Sequence, residues 1–103
     1  MRKEIKLELE EDGKTVLVKQ DYVPARKVRE ALKIQVQIEE TGVNVEVLDS
    51  MVEFAASLFK EKDNVTADRI WDGLASWDLM PSLQSILGEV MGTGNDENLV
   101  ESH

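Results

Sequence analysis

The chain is 103 residues long, enough for one domain with one modest core. It has no cysteine, which excludes disulfides, thiolate metal sites and a cysteine nucleophile, and no apolar run nears the roughly 18 residues that cross a bilayer. Its formal net charge of -9 lies entirely after residue 43: residues 1–43 hold nine Lys/Arg and nine Asp/Glu, residues 44–103 three and twelve.

That balance disfavours nonspecific nucleic-acid binding, because neutralising phosphates needs a cationic surface. The charged N-terminus leads into an alternating strand rather than an apolar signal segment. A soluble, non-exported protein is expected, and the absence of cysteine fits a reducing cytoplasm.

Residues 4–20 predict a β-hairpin. Ile5, Leu7 and Leu9 alternate with Glu4, Lys6, Glu8 and Glu10. Asp12-Gly13 is the dipeptide of a two-residue type I′ turn. With those two residues in the loop, Glu11 faces Lys14, Leu9 faces Val16 and Leu7 faces Val18, so the apolar pairs share one face. Leu17 falls on the other face beside Glu8. A lone ribbon is marginal in water, so its apolar face must rest on helices or on another subunit, and its open edges could extend a sheet in an oligomer.

A first helix is expected over residues 24–40, opened by Val23-Pro24 and ended by Thr41-Gly42. Val28, Ala31, Leu32, Ile34, Val36 and Ile38 form its apolar face. Arg26, Lys27, Arg29 and Lys33 crowd its first turns, although the N-terminal end of a helix dipole prefers acids. The Arg26–Glu30 spacing is attractive and the Arg29–Lys33 spacing repulsive, each by a few tenths of a kcal/mol at most. This basic cluster is read either as a solvated face or as a contact for an acidic partner or the acidic half of a second copy.

Asn44 is placed as the N-cap of a second helix, about residues 45–60, whose two apolar stripes imply burial against the first and fourth helices. Residues 60–64 read as a polar loop. Thr66 then caps a short third helix, about residues 67–75, weakened or ended by Gly73. Its Trp71 is expected in the core beside Ile70. Trp77 lies in the following turn, where partial exposure and a partner role are open. The fourth helix, residues 81–91, takes Pro81 in its first turn and is closed by Gly92. From Thr93 onward there is no periodicity, and a disordered tail is expected over residues 93–103.

The fold class expected is α+β, mainly α: an N-terminal β-hairpin packed on a bundle of about four short helices, in one globular domain over residues 1–92. Catalysis finds no seat. The single histidine is His103, no G-x-S-x-G or phosphate-cradling glycine loop occurs, and Asp68, Asp72 and Asp78 lack calcium-loop spacing. No catalytic, cofactor or metal residue is assigned. Surfaces remain, with Arg26, Lys27, Arg29, Lys33, Trp77 and Asp78 as candidate partner-binding residues.

The hairpin followed by Val23-Pro24-Ala25-Arg26-Lys27, Ile70-Trp71-Asp72-Gly73-Leu74 and Met80-Pro81 resembles the tail assembly chaperones of long-tailed phages of Gram-positive hosts. The resemblance covers about residues 4 to 92. It implies a non-enzymatic protein without cofactors that binds the tape measure protein, keeps it soluble and helps recruit tail tube protein. It also implies self-association, work in the bacterial host's cytoplasm and absence from the finished virion, while the charge balance and the lack of a long apolar run lead to no nucleic-acid or membrane partner being expected. In many members a ribosomal frameshift makes a longer product. The reading from another class is an acidic inhibitor that mimics nucleic acid, motivated by the charge of residues 44–103 and weakened by the four cations of the first helix.

Overall fold

The hairpin forms in the register its alternation predicts. In the computed structural model, which describes residues 4–92 (excepting the side chains of residues 60–63), strands β1 (Ile5–Glu11) and β2 (Lys14–Gln20) are antiparallel. Glu11 pairs with Lys14, Leu9 with Val16, Leu7 with Val18 and Glu8 with Leu17. Asp12 and Gly13 both have positive φ, 55° and 77°, as a type I′ turn requires. The ribbon is the whole sheet among the described residues, and its apolar face rests on helices.

Four helices follow: α1 (Arg26–Thr41), α2 (Val45–Asp63), α3 (Ala67–Gly73) and α4 (Leu79–Met91). Three ends are set by residues that the sequence marks for it. Asn44 Oδ1 accepts from the Val47 amide at 2.9 Å, Thr66 Oγ1 accepts from the Arg69 amide at 3.2 Å, and Gly92 closes α4 in the left-handed region at φ 80°.

Other boundaries move, each for a local reason. Pro24 lies before α1 rather than in it, and its carbonyl accepts from the Lys27 amide at 2.9 Å to start the turn. Helix α2 runs on through Lys60-Glu61-Lys62-Asp63, the stretch expected as a loop, because those residues include no breaker. It stops at Asn64, whose φ is 53°. Helix α3 ends at Gly73, before the expected Ala75, and Leu74 turns extended. Helix α4 starts two residues early with Pro81 third in line, where its missing N–H is still one the helix would leave unpaired. The tail expected from Thr93 lies outside the described residues.

One hydrophobic cluster draws on every element. It joins Ile5, Leu7 and Leu9 of β1, Val18 of β2, Ala31 and Ile34 of α1, Met51, Val52 and Phe59 of α2, Ile70 of α3, and Leu83, Ile86 and Leu87 of α4. Helix α2 is central, touching α1, α3, α4 and β2, while β1 is covered by α3 and α4. The α3 contact is close: a β-carbon built on Gly73 would sit 3.0 Å from Leu9 Cβ. Gly73 therefore does more than end a helix. It lets α3 approach the strand.

The hairpin is also fastened to α3 electrostatically. Arg69 donates from Nε to Glu11 Oε2 at 2.7 Å and from Nη2 to Glu11 Oε1 at 2.9 Å, a two-pronged grip that fixes orientation as well as charge. The Arg69 hydrogen bond and charge hold the Glu11 carboxyl below its ordinary pKa of 4.5 against a smaller opposing effect of burial. The sign follows: a carboxylate that binds its proton less tightly when folded stabilises the fold above its unfolded pKa and loses that contribution as pH falls through its folded one. Glu11→Gln should therefore flatten the fall of melting temperature below about pH 4.5. Parallel pH profiles for wild type and variant would show that the grip adds nothing.

Candidate functional site

Among the described residues no polar or charged side chain is buried, and no three acidic or histidine side chains converge where an ion could sit. No described helix is long and apolar enough to cross a membrane. The candidate partner-binding residues lie on surfaces.

The six candidate residues fall on two of them. Arg26, Lys27, Arg29 and Lys33 lie on α1, and Trp77 and Asp78 lie in the turn into α4. The α1 group is not a uniform cluster. Lys27 bends toward α2, where its Nζ donates to Ser57 Oγ at 3.0 Å and approaches Glu30 Oε2 at 3.6 Å. Its side chain is only 18% exposed, and Ser57 in turn donates to the Phe54 carbonyl. Glu30 thus meets Lys27, not the expected Arg26, because that rotation brings it to the α1–α2 groove. Lys27 is a tether between helices, and Arg26, Arg29 and Lys33 remain exposed.

The apolar face expected of α1 is narrower than its periodicity suggests. Ala31 and Ile34 are buried and Val28 and Ile38 half-buried, but Leu32 and Val36 are 49% and 48% exposed. The helix meets α2 and α4 on one side only, so residues a third of a turn round have nothing to cover them. Between α1 and α2 runs a groove of 690 Å³ with Ile34 and Phe54 among its lining and Glu30, Lys33, Gln37 and Glu53 also along it.

The second surface is a groove of 510 Å³ between β1 and the α3–α4 turn, lined by Lys6, Glu8 and Glu10 on one side and Leu74, Trp77 and Asp78 on the other. Trp77 is 79% exposed, the most exposed large apolar side chain among the described residues. Among the described residues the strand that borders it pairs with β2 alone. A two-residue loop closes on a hydrogen-bonded pair, here Glu11–Lys14, so Leu9–Val16 and Leu7–Val18 are hydrogen-bonded in alternation. The amides of Lys6, Glu8 and Glu10 then point away from β2. Trp71, expected in the core, is 38% exposed instead. Helix α3 spends its inward positions on Ile70 and Gly73, three residues apart, and Trp71 is left on the flank.

Two features escaped the sequence. The Glu11–Arg69 grip and the Lys27–Ser57 tether join residues far apart in the chain, with nothing periodic to announce them. The groove beside Trp77 was signalled only by the tryptophan.

No curated protein and no solved structure matches the chain. A family model described as phage tail chaperone protein matches residues 1–102.

Proposed function

The chain belongs to the phage tail chaperone family, and on that premise we propose that it binds the tape measure protein, keeps it soluble and helps recruit tail tube protein while the tail is built. It works in the cytoplasm of the bacterial host and is left out of the finished virion. The observation that carries the client reading is Trp77, a large apolar ring standing in water at the mouth of a groove. Such side chains become anchors when a partner covers them, because they bring much apolar area at little conformational cost. The groove offers Leu74, Ala75 and Trp77 to the apolar face of an amphipathic helix, the form in which a long helical client presents itself, and Lys6, Glu8, Glu10 and Asp78 to that helix's polar flanks. Repeated weak contacts along that client give avidity and still allow release as tube subunits replace the chaperone.

Co-expression tests this. The tape measure protein should be recovered in the soluble fraction with the wild-type chain, and Trp77→Ala should reduce that recovery several-fold without changing the chaperone's melting temperature. A client equally insoluble with and without the chain would overturn the reading. A client held equally well by Trp77→Ala would move the site elsewhere.

The nucleic-acid-mimic reading has a specific observation against it. Arg26, Arg29 and Lys33 stand on the surface and interrupt any continuous negative face.

A further inference from the structure

Along the outward side of α1 the residue types change in order. Arg26 and Arg29 come first, Leu32, Lys33 and Val36 occupy the middle, and Glu39 and Glu40 follow. At about 100° per residue, Arg29, Leu32, Lys33, Val36 and Glu40 form one stripe opposite the buried Ala31 and Ile34. All of the stripe is exposed. Among the described residues no ion pair engages Arg26, Arg29, Lys33, Glu39 or Glu40. The helix therefore carries a cationic end, a largely apolar centre interrupted by Lys33, and an anionic end, none of them ion-paired among the described residues.

We propose that this face is a two-fold interface between copies of the chain, with α1 packed antiparallel on α1 of a second copy. The pattern is complementary to itself in that orientation. With the symmetry axis level with Ile34 and Gln35, Arg29 lies level with Glu40 of the second copy and Lys33 with Val36, with Leu32 one residue further along, so the Lys33 stem covers Val36 and its charge lies about one turn from Glu40. A two-fold makes each of these contacts twice. Parallel packing sets Arg29 beside Arg29 and Glu40 beside Glu40, and is repelled at both ends. The same logic favours a second copy over an unrelated partner, since no other chain needs this order of charges. It also explains why cations are tolerated at the unfavourable end of the α1 dipole. One helix pair buries less than the roughly 1,200 Å² of a standard stable complex, so the dimer is reversible and depends on concentration. The proposal is independent of the client reading, which rests on Trp77.

The test is sedimentation equilibrium on the full chain at high protein concentration and low salt. The wild type should show a monomer–dimer equilibrium that weakens as salt rises. Arg29→Glu and Glu40→Arg should each weaken it about tenfold, because each sets like charges together twice. An equimolar mixture of the two variants should recover wild-type association. In the mixed pair one copy is acidic at both positions and the other basic at both, so each crossing again joins opposite charges. That rescue cannot come from misfolded chains. A wild type that is monomeric throughout, or single variants that dimerise as well as the wild type, overturns the proposal. So does a mixture with no gain over its components.

Discussion

Replacing Leu9 by alanine is expected to lower the free energy of unfolding by about 3 kcal/mol, the usual cost of removing a fully buried leucine from a packed site. Leu9 has no exposed surface and is sandwiched between the hairpin partner Val16 and Gly73 of α3. Neither neighbour can collapse to fill the gap: one belongs to a paired strand, and the other has no side chain to swing inward. The loss is a large share of the roughly 5–15 kcal/mol that typically holds a small domain together. Urea unfolding followed by circular dichroism would measure it, with the denaturant slope unchanged. A loss under about 1 kcal/mol, measured against that expectation of ~3, would mean that the hairpin rests only loosely on the helices.

Gly73→Val should cost about 2–3 kcal/mol by the opposite route, overpacking. Even the first added carbon meets Leu9 Cβ at 3.0 Å and Leu9 Cδ2 at 3.3 Å, with the Glu10 amide nitrogen at 3.5 Å. The Cδ2 contact can yield by rotation, but the Cβ is fixed to the strand backbone. Alanine at the same position brings this clash together with a helix advantage over glycine of about 1 kcal/mol, so its net cost should be about half that of valine or less. The two substitutions form a graded pair on one contact. If valine proved neutral, α3 and β1 would have to lie further apart than the structure places them.

The sequence made the hairpin legible because two independent signals agreed, the period-two alternation and the Asp12-Gly13 turn. Asn44, Thr66 and Gly92 were legible as caps because each satisfies a backbone group locally. The overrun of α2 was not, because a polar stretch without a breaker reads as a loop by composition and as a helix by propensity. Helix α1 is the instructive failure. Periodicity grouped Leu32 and Val36 with Ala31 and Ile34 in one broad face, but they lie on the side that neither α2 nor α4 covers, and only the arrangement of those helices decides where cover stops. Of the candidate site, exposure at Trp77 could be read from its place in a turn. The inward bend of Lys27 could not, because Ser57 is on another helix.

That bend also changes what a charge-reversal experiment means. Replacing Arg26, Lys27 and Arg29 together by glutamate disturbs the α1–α2 tether as well as the outer face. Arg29→Glu alone leaves the Ser57 contact intact and is the cleaner probe.

The placement of β1 has a consequence for the order of synthesis. It emerges from the ribosome before the other described elements, yet the helices that cover it, α3 and α4, are the last of them to emerge. A two-stranded ribbon does not hold by itself in water, so Ile5, Leu7 and Leu9 stay wet until α3 and α4 have been made. The charges interleaved with them, at Glu4, Lys6, Glu8 and Glu10, suit that wait, since they discourage pairing with a neighbouring nascent chain. The nascent hairpin must stay soluble before its own cover arrives.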